Sequence, residues 1–109
     1  MIIYQIKLPK EHDADAFATF MRKKYFPAVH KGATRIGQVT NLVLLQGKNG
    51  NLASDFFLHL DWNGLPVEDI HMMIRTDDDK INQKFRSFEA RIKKIGTYME
   101  VATLTNNMK

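Results

Sequence analysis

The sequence predicts an α+β fold, with a four-stranded antiparallel sheet and two helices on one of its faces. The first observation behind this prediction is a long central β-hairpin, in which apolar runs at residues 36–46 and 53–62 flank a turn at residues 47–51. That turn contains Asn-Gly, which tolerates the positive φ values of tight hairpin turns. The second observation is that a strand and a helix precede the hairpin, whereas a helix and a strand follow it.

Length and composition restrict the functional classes. The 109 residues (1–109) are expected to form one domain, because this length lies near the modal domain size. The absence of cysteine excludes a disulfide framework, thiol catalysis and cysteine-bound metals. The net charge of +4 arises from 16 basic residues dispersed among 12 acidic ones, so nucleic-acid binding is not expected. Because neither a signal peptide nor a membrane-spanning apolar run is present, a cytoplasmic protein without membrane association is expected.

The first strand and the first helix follow from two different periodicities. Residues 2–8 alternate, which predicts a strand with one fully apolar face. That face consists of Ile2, Tyr4, Ile6 and Leu8. The helix is predicted from Asp13, as its N-cap, to Tyr25, and Pro27 is expected to end it by disfavouring helical geometry at Phe26. Its apolar stripe consists of Phe17, Phe20, Met21 and Tyr25.

The hairpin strands and the second helix are predicted in the same way. One face of the second strand should carry Val39, Asn41, Val43 and Leu45, and one face of the third should carry Phe56, Leu58, Leu60 and Trp62. Thr76 and Asp79 resemble a capping box at the start of the second helix. The apolar stripe of this helix consists of Ile81, Phe85, Phe88, Ile92 and Ile95. Gly96 is expected to end the helix, and residues 97–105 to form the last strand.

The resulting order, β-α-β-β-α-β, is the split-βαβ or ferredoxin-like arrangement. Because both helical stripes cover the same face of the sheet, the other face is left with Ile3, Phe57 and members of the last strand. Such an apolar face needs a cover, and symmetric dimers are the commonest oligomers. A homodimer through the open sheet face is therefore expected.

The element order, the long hairpin and the join at residues 27–38 (Pro-Ala-Val-His-Lys-Gly-Ala-Thr-Arg-Ile-Gly-Gln) resemble the dimeric α/β-barrel superfamily over nearly the whole chain. Within it, the chain resembles antibiotic-biosynthesis-monooxygenase-like and stress-responsive barrel proteins. The resemblance implies two ferredoxin-like protomers packed sheet against sheet, with an apolar pocket between the sheet and the helices of each. It does not imply one shared chemistry, since members include cofactor-independent monooxygenases and small isomerases.

The predicted catalytic residues are His30, Arg35 and His71, which lie in connectors or at strand ends. An imidazole can move a proton near neutral pH, and a guanidinium can hold an enolate, a phenolate or a carboxylate. The predicted ligand contacts are Tyr4, Phe17, Phe20, Trp62 and Phe85. We expect a small apolar ligand, with cofactor-independent oxygenation or isomerisation of an aromatic or polyketide-like substrate as the chemistry. The alternative is a non-catalytic ligand-binding or structural dimer.

The residues give weaker support to haem binding, RNA binding and metal binding. Trp62 and His71 are similar to a pair used by haem-degrading members, but the first-strand asparagine of that pattern has no match here. RNA-recognition motifs share this element order, yet the third strand lacks their basic-Gly-aromatic lead, and Asp55 and Asp61 place negative charge where phosphates would pass. His59 and Asp61 could form an acid–base pair or an interfacial hydrogen-bond network. No metal or other cofactor is expected, because no His, Asp and Glu residues have metal-ligand spacing.

Overall fold

Four strands form one antiparallel sheet in the order β2-β3-β1-β4. The strands are β1 (Ile2–Lys7), β2 (Gly37–Gln46), β3 (Asp55–Gly64) and β4 (Arg91–Thr97). The computed structural model describes residues 1–31, 37–48, 55–64, 70, 76–102 and 104. β2 and β3 are the arms of the predicted hairpin, and residues 49–54 of its connection lie outside the described residues. The α+β class and the four-stranded antiparallel sheet are confirmed.

A helical stretch at residues 14–31 connects β1 to the hairpin. It consists of α1 (Ala14–Phe20), a π-helical segment (Met21–Tyr25) and α2 (Phe26–Lys31), and a short 3₁₀ turn (Glu11–Asp13) precedes it. Asp13 occupies the N-cap position but makes no capping hydrogen bond through its side chain.

The expected helix end at Pro27 is wrong, because the helix continues to Lys31. Immediately before the proline the backbone is wider, with the Phe26 N–H donating to the Met21 carbonyl five residues back. Pro27 thus falls in the first turn of α2, where a missing backbone N–H is tolerated. The π-helical segment lets one continuous helical stretch pass through a residue that ordinarily stops a helix.

The last helix, α3 (Asp79–Ser87), is shorter than the sequence predicted. The expected end at Gly96 is wrong, because Glu89 adopts a left-handed conformation (φ 54°) and the chain turns back into β4. Ile92 and Ile95 therefore belong to β4. The predicted last strand at residues 97–105 is correspondingly wrong, since residues 98–102 lie beyond the end of β4 and outside any strand.

The start of α3 uses a different cap from the predicted one. The Asp78 carboxylate accepts hydrogen bonds from the backbone N–H groups of Lys80 (2.9 Å) and Ile81 (3.3 Å), and so acts as the N-cap. Thr76 is buried instead and pairs with Asn82: its hydroxyl donates to the Asn82 Oδ1 (2.8 Å), and the Asn82 Nδ2 donates to the Thr76 carbonyl (2.9 Å). These bonds fix the entry to the helix.

The core lies between one face of the sheet and the helices, as the alternation in β1 and β3 predicted. Its largest fully buried side chains are Tyr25, Phe17, Phe56, Ile6, Met21, Leu58 and Leu60. In β2, a bulge between Val39 and Asn41 changes the predicted face of Val39, which opposes Trp62 and packs against the core. No helix in the described part of the chain is both long and apolar enough to cross a membrane.

Candidate functional site

A groove between the helical stretch and the edge strand β2, which we call the helix–β2 groove, is the candidate ligand site. It has two adjoining parts with volumes of ~420 Å³ and ~250 Å³, and both are lined by Phe26 and Leu42. The larger part also contains Ala18, Met21 and Arg22, and the smaller part contains Val29 and His30. The larger part is therefore mainly apolar and contains the cation Arg22. The smaller part is more polar, because His30, Thr40 and Asn41 line it together with apolar side chains.

The π-helical segment borders this groove. Met21 opens the segment and Phe26 directly follows it, and both side chains line the larger part. A π-helical turn carries one residue more than an α-helical turn, so it widens the helix locally, and such turns are frequent at functional sites. The π-helical backbone and the groove beside it thus both indicate this region as the candidate functional site.

The polar groups at the two ends of the groove differ in chemistry. Arg22, at the larger part, carries a permanent positive charge on an exposed side chain. His30, at the smaller part, is also exposed and lies near the bulge of β2. There the Asn41 Nδ2 donates to the Asp61 Oδ2 (3.4 Å), and the Thr40 hydroxyl donates to the Asp61 carbonyl (3.2 Å). This arrangement suits an elongated apolar molecule with an anionic end at Arg22.

The structure describes only one of the three predicted catalytic residues. Of the three, His30 lines the helix–β2 groove. Arg35 and His71 lie outside the described residues, so their catalytic roles, and the haem pairing of His71 with Trp62, stay predictions. Trp62 itself is half-buried, opposes Val39 and packs against the core.

The four other predicted ligand contacts, Tyr4, Phe17, Phe20 and Phe85, belong to the buried core. The Phe17 ring packs against the rings of Phe56 (centroids 5.0 Å apart) and Phe88 (5.1 Å). Phe85 stacks on Tyr25 at 4.7 Å. Side chains therefore fill the space where these four residues meet, and the helix–β2 groove lies beside them. Their contact with a ligand stays a prediction.

Arg22 is a site residue that the sequence pattern does not predict. The sequence places Arg22 beside Lys23 and Lys24 near a predicted helix end, where cations simply complement the helix dipole. Only the π-helical segment and the neighbouring β2 distinguish Arg22 from the two lysines. Among the described residues, no group of three His, Cys, Asp or Glu side chains comes together as a metal site.

Tyr25, the last residue of the π-helical segment, makes the stability of the protein depend on pH in the alkaline range. Burial raises the pKa of Tyr25 to about 12, against an opposing effect of Arg86, whereas the phenol of the unfolded chain ionises near 10.0. Between these values the folded state binds more protons, so its stability is complete below pH 10 and is lost as the pH rises towards 12.

We expect the free energy of unfolding to fall by roughly 2–3 kcal/mol across this interval. Urea unfolding measured at successive pH values tests this, and Tyr25→Phe should remove this part of the decline. Tyr98→Phe, which deletes an exposed phenol, is the control and should keep the decline. An unchanged profile in Tyr25→Phe would assign the alkaline loss to other groups.

A second groove of ~720 Å³ lies between α2 and the start of α3. It combines the lysines Lys23, Lys24, Lys31 and Lys80 with the aspartates Asp77, Asp78 and Asp79. Because this groove is lined by charges of both signs and the Asp78 carboxylate already caps α3, it selects neither an anion nor a cation. We assign it no function.

The sheet face that points away from the helices, called the open face from here on, is partly apolar. Val43, Leu45 and Phe57 are 39%, 48% and 40% exposed there. The strand register places Leu45, Phe57, Gln5 and Lys93 side by side across the four strands. Directly opposed residues of antiparallel strands project to the same side, so this row crosses the whole face. The predicted open face with Ile3 and Phe57 is confirmed.

The charges of the open face are divided between the two halves of the sheet. β3 contributes Asp55 and Asp61, whereas β1 and β4 contribute Lys7, Lys93 and Arg91. At one end of the sheet Asp55 opposes Lys7, which in turn opposes Arg91. The face is thus acidic along β3 and basic along β1 and β4, with apolar side chains between the charges.

Comparisons with protein-family models, with curated proteins and with solved structures found no match to this chain. The candidate site therefore stands on its own geometry. That geometry consists of a groove with Arg22 in its mainly apolar larger part and His30 in its smaller part, and an open face whose charges are divided between its two halves.

Proposed function

We propose that this protein is a ferredoxin-like homodimer that binds a small, largely apolar molecule with an anionic group in the helix–β2 groove of each protomer. The observation that carries the proposal is a groove whose larger part is mainly apolar and contains Arg22, and whose adjoining smaller part contains His30. An apolar body gains free energy by leaving water, and a guanidinium fixes the orientation of a carboxylate or phenolate.

The ferredoxin-like part of the proposal is supported by the order of the elements. Both helical layers pack on one face of the sheet, and β1 and β3 occupy its centre. Read from its other edge, the sheet order is β4-β1-β3-β2, in which two β-α-β halves interleave. The homodimer is supported by the exposed apolar side chains of the open face and by its division into an acidic and a basic half.

His30 makes acid–base catalysis the second candidate function of the same groove. Its imidazole lies where the neutral end of an elongated ligand would lie if the anionic end were at Arg22. Proton abstraction by His30 would start a cofactor-independent oxygenation or an isomerisation. If the protein is an enzyme, His30→Gln should keep its affinity for the ligand but lose turnover. A protein that only binds would show no turnover, with or without this substitution.

Filling the groove tests the proposal. Ala18 lines the larger part, so Ala18→Leu should weaken the binding of 2-naphthoate, an apolar anion, by about ten-fold. Ala16→Leu adds the same side chain to an exposed position of the same helix and is the matched control. Arg22→Gln should reduce the affinity for 2-naphthoate but not for neutral naphthalene, because it removes only the charge.

Isothermal titration or chemical-shift perturbation measures these affinities. Equal affinity of the Ala18→Leu and Ala16→Leu variants would contradict the groove as the binding site. Binding of single-stranded RNA through the aromatic Phe57 and Tyr98 of a monomer is the competing outcome, and it predicts oligonucleotide-dependent shifts on the open face instead.

A further inference from the structure

The chain beyond β4 carries apolar side chains that nothing in the protomer covers among the described residues. Met99 is 83% exposed, Val101 is 89% exposed and Leu104 is 95% exposed. Tyr98 lies just beyond β4 but is still bound to the neighbouring N-terminal residue, since its N–H donates to the Met1 carbonyl (2.6 Å) and its ring lies against Gly96. Residues 99–102 and Leu104, which we call the C-terminal segment, follow directly. Such a run of exposed apolar side chains is typical of a surface that is buried in an assembly.

The charges of the open face select one way of stacking two protomers. A two-fold axis that lies between the two sheets, perpendicular to the strands and level with Leu58, would place each strand over its own copy and Asp55 of one protomer over Asp61 of the other. The Asp61 carboxylate also lies 3.5 Å from the N-terminal ammonium of its own chain. A two-fold axis parallel to the strands, between β1 and β3, places β3 over β1 and brings Asp55 over Lys7. The second arrangement pairs opposite charges, and the first one opposes like charges.

In the favoured arrangement, β4 of one protomer lies over β2 of its partner, because these strands are the two edges of the sheet. Packed sheets are about 10 Å apart, and an extended chain advances about 3.3 Å per residue. Three residues after Tyr98 are thus enough to cross from one sheet to the other. The register places Thr97 level with Leu42 of β2, so Val101 arrives at the β2 edge of the partner near Thr40 and Asn41. In contrast, β2 of its own chain is three strands away.

We propose that the C-terminal segment of each protomer crosses to the other and closes the His30 end of its helix–β2 groove. Val101 and Leu104 would cover the stretch of β2 that borders this end of the groove, and Met99 would remain in the seam between the sheets. Each ligand site is then built by both copies of the chain. This inference rests on the homodimer of the proposed function, but it does not require the groove to hold any particular ligand.

The cysteine-free sequence allows a direct test with introduced thiols. One chain carries Val101→Cys, and a second chain, distinguished by a tag, carries Thr40→Cys. Mild oxidation of the mixed proteins should give a disulfide between the two chains. The control pairs Val101→Cys with Gln83→Cys, which is equally exposed but lies on α3. We expect the first pair to cross-link about ten-fold faster than the control, since an imposed proximity raises the effective concentration of the thiols.

Two further measurements separate the outcomes. Sedimentation equilibrium of the unmodified chain gives its oligomeric state. Oxidation of a chain that carries both Val101→Cys and Thr40→Cys shows whether the disulfide forms within one chain. A dimer whose two pairs cross-link at equal rates would overturn the exchange of C-terminal segments and leave the homodimer standing. A disulfide within one chain would also overturn the exchange, because it would show the segment closing its own groove. A monomeric unmodified chain would overturn the homodimer and, with it, this inference.

Discussion

Phe56→Ala should lower the free energy of unfolding by about 3–5 kcal/mol, which is a large fraction of the stability of a domain of this size. Phe56 is 0% exposed, and its ring packs edge-on against that of Phe17 at 5.0 Å. Truncation removes the apolar contacts and leaves a cavity that the sheet on one side and the helix on the other cannot fill. Urea or thermal unfolding measures the loss.

The next residue provides the matched control. Phe57 has the same side chain on the same strand, but it lies on the open face and is 40% exposed. Phe57→Ala should therefore cost the isolated protomer less than about 1 kcal/mol. Its effect should also depend on protein concentration, since Phe57 lies in the proposed dimer interface, whereas the effect of Phe56→Ala should not. Equal losses for the two variants at every concentration would contradict the assignment of the two sheet faces.

This pair also illustrates what the sequence could predict. Alternation in β1 and β3 assigned Tyr4, Ile6, Phe56 and Leu58 to one face and Ile3 and Phe57 to the other, and the structure agrees. Strand alternation is informative here because one face is fully buried, so a shift of a single residue would expose the whole core. The same argument predicted the hairpin and the α+β class.

The boundaries of the second helix could not be predicted from periodicity. Phe85, Phe88, Ile92 and Ile95 are spaced by three and four residues, which fits one helical stripe. The chain nevertheless leaves the helix between Phe88 and Ile92, at Glu89, where no glycine or proline marks the turn. The pairing of Ile92 with Ile6 in the sheet outweighs the local preference for helix.

The candidate site was predictable only in outline. His30 was identified because a histidine near a connector is a plausible acid or base, and it does line the groove. Arg22 and the groove itself depend on the π-helical segment and on the β2 edge beside it, which are separated by about twenty residues in the sequence. A single sequence carries no signal for that meeting of elements, because it arises from tertiary packing.

Phe57→Lys should raise the dissociation constant of the dimer by at least about a hundred-fold, if the open face is the seam. The side chain lies in the row that contains Gln5 and Lys93. With β3 stacked over the partner's β1, the new ammonium group would be buried close to that row and would add to its positive charge. A buried charge without a partner costs several kcal/mol, and like charges increase this cost.

Two further variants make this prediction specific. Phe57→Leu retains an apolar side chain and should remain dimeric, and Gln83→Lys adds the same charge on exposed α3 and should leave the dimer intact. Sedimentation equilibrium over a range of protein concentrations measures all three constants. A Phe57→Lys protein that dimerises as tightly as Gln83→Lys would place the seam elsewhere. Dissociation of Phe57→Lys alone would assign the dimer interface to the open face, with both its apolar side chains and its divided charges. In that dimer the C-terminal segment of each protomer could reach the groove of its partner.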